Sequence, residues 1–531
     1  MKKIFTLAFA IAIVNMSFAQ ISSDAFVLSH HLPTGTARFN AMGGSTGAIG
    51  GDASSMWTNP AGIGLYRGTE FTITPLLQFN RAETSLNGGK RSDNKTVFDM
   101  GSMSIVGAMD MDNGGSGLKF LTLGMGYNRI ANYGKNTVFA GTNMNSSILD
   151  MWAGTASNWT NWDPSLHNPN YPNPGAPSYY PPDMLRPGDE GLAYDQYLIN
   201  LDNDDDNPVF PDYPAGYYSI QELYGHGHTM LHRKEQKGYL DEWNLSMGGN
   251  INDKFYFGLS IGIQDIDYKE WVSHRETGAN GSDLNNFEYM QDVRISGYGG
   301  NVKLGAIYRP IDEIRIGAAY HTPTWMNLTN EYQPGLYSLW NTYDDDGNRE
   351  YEQWDYLSVY DFKLRTPGKW LASAAVQFGQ YGMLNVDYER VNYASMKMSN
   401  DGNGSIANTT YFDNVNDIIK DSYKAVNNIR VGGELKTGLF SWRAGYGLYG
   451  NPYRDETVNA DASYSTISCG LGFRLEEFFV DLSYTHILRE ESESLYDSVF
   501  VYTDGSADYT PVVSKIDTVT GRFLLTIGFR F

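Results

Sequence analysis

This 531-residue sequence predicts an all-β chain: a transmembrane antiparallel β-barrel of about 14 strands with an N-terminal lumenal hatch. Three observations carry that expectation. The chain opens on an export signal. It then lacks any apolar stretch of the roughly 18 residues that a spanning helix needs. Period-two alternation of apolar and polar residues recurs from about residue 69 to the last residue.

Lys2 and Lys3 precede an apolar run from Ile4 to Val14, and Ser17-Phe18-Ala19 supplies small residues at both positions that a signal peptidase reads. Residues 1–19 are therefore expected to be a signal peptide, with the mature chain starting at Gln20. No cysteine follows the cut, which excludes a lipoprotein signal. Length alone would suggest several soluble domains. Composition argues otherwise: 14% aromatics, 57 glycines, 38 tyrosines and a mean hydropathy of -0.40 fit a lipid-facing surface diluted by a polar lumen and loops. A net charge of -22 argues against nucleic acid, since phosphate neutralisation needs clustered Lys and Arg. The single cysteine, Cys469, excludes a disulfide scaffold.

The last strand shows the alternation most sharply. Phe523, Leu525, Ile527, Phe529 and Phe531 interleave with Arg522, Leu524, Thr526, Gly528 and Arg530. One face is apolar and the other mostly polar or small, as a wall between lipid and lumen requires. The terminal Phe531 resembles the sorting signal of outer-membrane barrels, which implies handling by the barrel-assembly machinery. Similar alternation falls at about fourteen segments: 69–80, 99–111, 118–130, 239–249, 254–267, 289–308, 313–320, 369–379, 382–392, 424–436, 439–448, 464–475, 477–488 and 522–531. Cys469 reads as one of the lipid-facing residues. Short connections such as 250–253, 310–312 and 437–438 alternate with long polar loops, which puts both termini on the periplasmic side.

Residues 20–67 fit no strand of the barrel assigned to 68–531. They are rich in Gly, Ala and Ser, which let backbone segments turn sharply and approach closely. About forty-five residues with no lipid-facing pattern would most naturally close the pore of a barrel this size. The stretch Gly51-Asp52-Ala53-Ser54 through Asn59-Pro60-Ala61-Gly62, followed by about fourteen strands, resembles the FadL/TodX/OmpP1 family of hydrophobic-compound transporters. At residue level the resemblance covers Ala41 to about Tyr66. It implies a hatch motif at Asn59, Pro60 and Ala61, flanked by Asp52 and Gly62. It also implies passive outer-membrane transport of hydrophobic small molecules, such as long-chain fatty acids, by a monomer set in outer-membrane lipid. A porin for other solutes or haem, or a surface adhesin or structural outer-membrane protein, stays open as an alternative.

The longest loop, about 131–238, holds two patches at helical spacing, one containing Trp152 and Trp159 and the other Tyr194 and Tyr197. These aromatics either form a groove that captures a ligand or pack on each other as a lid. Among inward-facing positions, Arg430, Arg443 and Arg474 could guide a ligand carboxylate, or they belong to an ion-pair network that braces the hatch. Gly258-Leu259-Ser260-Ile261-Gly262 matches a nucleophile pattern, but it lies within an alternating strand rather than a strand-to-helix elbow. Gly445 to Gly450 matches G-x-G-x-x-G, yet Asn451-Pro452 follows and no helix opens. His226, His228 and His232 read as solvated loop residues, and the acidic runs 202–206 and 344–346 lack EF-hand spacing. No enzyme, metal or cofactor is expected.

Overall fold

The computed structural model describes residues 18–111, 117–157, 185, 189–202, 216–401, 409–496 and 512–531. Fourteen strands form the wall: β1 (Glu70–Leu86), β2 (Gly89–Asp110), β3 (Leu118–Asn132), β4 (His228–Ile251), β5 (Phe255–Thr277), β6 (Leu284–Ile311), β7 (Ile314–His321), β8 (Lys369–Phe378), β9 (Gly382–Asn392), β10 (Ala425–Thr437), β11 (Phe440–Tyr449), β12 (Ser463–Arg474), β13 (Phe478–Ser494) and β14 (Val513–Arg530). Each pairs antiparallel with the next. β14 then returns to β1, from Glu70↔Arg530 to Ser85↔Lys515. Closure leaves no open edge, the condition for crossing a bilayer with strands.

The alternation read from sequence decides which side chains face out. On β12, Ile467 and Leu471 are exposed while Thr466 and Ser468 are buried inward, and Cys469 is exposed among the lipid-facing residues. Exposed aromatics gather at two levels. Phe255, Tyr308, Phe378, Phe440 and Phe529 lie near the short turns, and Trp243, Tyr298, Trp325, Trp370 and Tyr446 lie near the opposite side. Such paired girdles bound the apolar band of a transmembrane barrel. The β4–β5 turn places Asn252 and Asp253 at positive φ, 54° and 56°, which matches the twist of the flanking strands. Thr69 and Phe531 exchange backbone hydrogen bonds at 3.1 and 2.9 Å, tying the two ends of the wall together.

Several strands run further than the alternation indicated. Residues 81–98, expected to be a loop, continue β1 and β2 to a tight turn at Asn87-Gly88, with φ of 44° and 85°. The outward residues there, Arg81, Glu83 and Ser85, are polar, so the ladder outlasts the lipid-facing pattern. β4, β5 and β6 also rise well beyond Trp243 and Tyr298. Residues 325–340, 358–365 and 397–400 extend the wall above β7, β8 and β9. Pro323 and Pro367 interrupt the line between these extensions and β7 and β8, because proline donates no ladder hydrogen bond. Residues 135–143 of the long loop pair with β4.

Candidate functional site

The N-terminal segment begins with α1 (Phe18–Val27), into which the expected mature start at Gln20 falls. Residues 1–17 of the expected signal peptide lie outside the described residues. α2 (Ala37–Ala41) follows, capped by Thr36, whose hydroxyl accepts from the Phe39 amide at 3.2 Å. Two short 3₁₀ turns come next. Asp52 caps the turn at 53–56, accepting from the Ser54 amide at 2.9 Å and from the Thr36 hydroxyl at 2.9 Å. Asn59 caps the turn at 60–65, accepting from the Ala61 amide at 3.2 Å with Pro60 at the first position, where its missing N–H costs nothing. The Asn59 amide also donates to the carbonyls of Gly47, at 2.7 Å, and Ala306 on β6, at 3.3 Å. One side chain thus ties two parts of the segment to the wall. Ala61 and Gly62 are buried behind it.

Inward-facing wall residues meet this segment from many strands. Arg38 donates to Glu434 on β10 at 3.0 Å, and Arg443 on β11 donates to the same carboxylate and to Asp481 on β13, each at 2.6 Å. Asp387 on β9 accepts from the amides of Thr46 and Gly47 at 3.2 Å. Arg315 on β7 donates to the Ile49 carbonyl at 2.6 Å. Burial by itself would favour a neutral Arg38, but Glu434 and Asp52 outweigh it and hold its pKa above the ordinary value.

Glycines on the wall make room for the contact. A Cβ at Gly258 would lie 2.2 Å from the Pro60 carbonyl carbon, at Gly305 2.0 Å from Asn59 Oδ1, and at Gly445 2.1 Å from the Gly43 amide. Gly258 and Gly445 open the two stretches that matched a nucleophile pattern and G-x-G-x-x-G. Their chemistry is an absence of side chain where another backbone comes close.

Above this level the lumen turns apolar. Ala25, Phe26 and Leu28 pack with Leu240, Ile266, Tyr268, Ile295, Phe362 and Tyr393 of the wall and with Phe412, Val415 and Ile419 of α5 (Thr409–Ser422), which follows the loop helices α3 (Ile148–Ser157) and α4 (Asp189–Asp195) along the chain. Phe26 stacks on Tyr423, centroid to centroid 4.9 Å, and on His30, 4.8 Å. Between β2 and β3 backbone pairing stops at Ser102↔Asn128. Beyond that point Arg129 joins the two strands by pairing with Asp99, and it bonds Asp241 on β4 at 2.6 Å. A small cavity at this seam is lined by Thr34, Leu76, Gly101, Ile130, Asn132 and Leu524, among others.

The first expected loop helix forms as α3; of the second patch only Leu192 and Tyr194 lie on a helix, α4, while Tyr197 follows its end and Leu201 lies on a short strand, Ile199–Asp202. Trp152 is 1% exposed in a packed core with Leu149, Leu192 and Phe287 and meets Tyr289 edge-on at 4.9 Å. Tyr194 packs at the margin of that core, and Tyr197 is exposed against Tyr351 at 6.1 Å. Trp159 lies outside the described residues, as do residues 203–206 of the first acidic run. Arg430 pairs with Glu389 at 3.3 Å and Asp387 at 3.9 Å. Arg474, by contrast, is exposed and lies over the Phe479 ring at 5.0 Å. The three arginines therefore do not converge on one point.

His228 and His232, expected to be solvated, are buried because β4 extends through them, and His228 faces Glu276 at 3.2 Å. Among the described residues no group of three or more His, Cys, Asp or Glu is arranged to hold a metal. The sequence placed Glu434 and Asp387 on the inward face, where a network bracing the hatch was expected, but it missed Arg38 and the Thr46 and Gly47 amides as their partners, since nothing local marks partners some 340–396 residues apart.

No family model and no curated protein matches the chain. Solved structures do. A FadL homologue from Pseudomonas aeruginosa superposes with a TM-score of 0.55 at 14% identity, covering 95% of this chain and 100% of that one. The fold is of the FadL type. The Pseudomonas putida toluene transporter TodX gives a TM-score of 0.51 at 11% identity, covering 94% of this chain and 99% of its own. At these identities the FadL-type likeness is one of fold, a closed antiparallel barrel.

Proposed function

We propose that this chain carries hydrophobic small molecules, long-chain fatty acids or compounds of similar shape, passively across the bacterial outer membrane. Residues 20–67 serve as the hatch and residues 68–531 as the barrel. The observation that carries this reading is the apolar cluster inside the barrel, where Phe26 packs with Tyr268, Phe362 and Tyr393. A general porin keeps a polar, water-filled lumen. The FadL-type fold supports the reading, because the two proteins named above are described as a FadL homologue and a toluene transporter. The seam between β2 and β3, held by Arg129 rather than by backbone pairing, is where the wall would part most readily for lateral release.

The test is tryptophan fluorescence of the detergent-folded protein, with buried Trp57 in the hatch as one reporter. It is titrated separately with a long-chain fatty acid and with an oligosaccharide. Saturable quenching by the acid alone is expected. A response to the saccharide alone would move the assignment to a porin.

A further inference from the structure

The outer surface of the wall carries a group of cations with no acidic partner among the described residues. Lys363, Arg365, Lys397 and Arg390 are all exposed, on the extension at 358–365, the extension at 397–400 and β9. Arg365 stands directly opposite Lys397 on one neighbour and Trp325 on the other. Arg390 stands directly opposite Trp370 and Asn427. Two cations facing each other across a strand pair repel, so this register is unfavourable unless an anion lies between them.

Several exposed cations elsewhere on the same side of the wall are matched. Arg294 bonds Asp267 at 2.8 Å, Lys237 approaches Glu235 at 3.4 Å, and Lys424 bonds Asp455 at 2.7 Å. Among the described residues none of the four lies within 4.0 Å of a carboxylate. Their polar contacts are Lys363 Nζ donating to the Asp401 carbonyl at 3.1 Å and Arg390 Nη1 donating to Asn427 Oδ1 at 2.9 Å. Asp361, the next outward position above Lys363, accepts from the Thr329 hydroxyl at 2.6 Å. Trp325 and Trp370, 55% and 63% exposed, mark the upper limit of the apolar band beside the patch, which is the headgroup level. On a chain of net charge -22, this strip is oppositely charged to the rest of the protein.

We propose that Lys363, Arg365, Lys397 and Arg390 bind the phosphates of an anionic outer-leaflet lipid, with Trp325 and Trp370 against its apolar part. Arg365 and Lys397 grip one phosphate from adjacent strands, a forked and a point donor that suit a phosphate's several oxygens. The site does not depend on what passes through the barrel.

The experiment is native mass spectrometry of the full-length folded protein. It is offered lipid A, a bisphosphorylated glycolipid, then its dephosphorylated form, then inorganic phosphate. Wild type is expected to retain lipid A and to release the dephosphorylated form. The Arg365→Ala/Lys397→Ala double variant should bind lipid A roughly thirtyfold more weakly, about the effect of two headgroup-level cations. Lys237→Ala, at a matched site, should bind as wild type, and heat-modifiable migration in gels confirms that every variant is folded. Charge-conserving Arg365→Lys should keep most of the binding. Equal lipid A binding by the double variant would overturn the proposal. So would equal retention of the dephosphorylated lipid, or displacement of lipid A by inorganic phosphate at equal concentration.

Discussion

Arg38 Nε donates to Glu434 Oε2 at 3.0 Å, and Arg443 Nε donates to that same oxygen at 2.6 Å. The N-terminal segment and the wall thus share one buried carboxylate. Breaking a buried ion pair from one side costs about 3–5 kcal/mol. Here the cost should fall near the low end, because Glu434 keeps Arg443. Arg38→Met is expected to loosen the segment while leaving the barrel closed. Single-channel recording in planar bilayers should show higher conductance with unchanged thermal stability of the barrel. Unchanged conductance would mean that the pair does not hold the segment.

A steric route to the same outcome uses Gly445. Its absent side chain leaves space for Gly43, whose φ of +65° fixes the local backbone. Gly445→Val puts carbon where the Gly43 amide lies, and neither backbone can yield. The segment should become sensitive to added protease at its residues 30–60 region. Gly433→Val is the control, since a Cβ there meets nothing nearer than 3.6 Å. Equal protease resistance in both variants would argue against close seating.

The packed core of the long loop should respond to pH through α4. Burial pushes Asp189 up to about 6, and burial with the neighbouring Asp189 charge pushes Glu190 up to about 8. Unfolded carboxyls titrate near 4, so from about pH 4 to 8 the folded core holds more protons than the unfolded loop. The stability of that core therefore falls as pH rises through that window. Proteolysis of the loop is expected to speed up from pH 5 to 9, and Glu190→Gln should remove most of the change. A pH-independent rate in the wild type would contradict this.

The fold was legible because lipid imposes a pattern that water does not. Wherever a strand faces acyl chains, as in Phe523 to Phe531, one face must be apolar, and all fourteen wall strands show themselves this way. Where the strands rise into water that demand ends, so the ladders from Arg81 to Leu86 and through His228 and His232 read as loop. The candidate site was legible only in part. Asn59 and Asp52 are capping residues with local signals. Arg430 and Arg443 could be placed as inward-facing, but their partners Glu389 and Asp481 lie on other strands, and Arg38 comes from the far end of the chain. Trp152 and Tyr194 had the spacing of a helix face, and spacing alone does not separate a packed lid from an open groove.

The N-terminal segment also carries a pH dependence of its own. His30 packs against Phe26 and Tyr464, and burial lowers its pKa well below the ordinary value. Burial lowers His31 to about 4, although its Nε2 donates to the Leu28 carbonyl at 3.0 Å, which acts the other way. A histidine whose seated pKa is depressed stabilises the seated state above its free value near 6.5, and that stability drains away as pH falls towards 4. Asp24 opposes this: burial raises its pKa, so acid favours its seated form. The measurement therefore belongs in an Asp24→Asn background, where Asp24 no longer offsets the histidine contribution. Conductance there should rise as pH drops from about 7 to 4, and His30→Phe with His31→Gln should flatten the curve, Gln keeping a donor for Leu28. If the curve stays steep without the histidines, the proton that unseats the segment is taken up elsewhere.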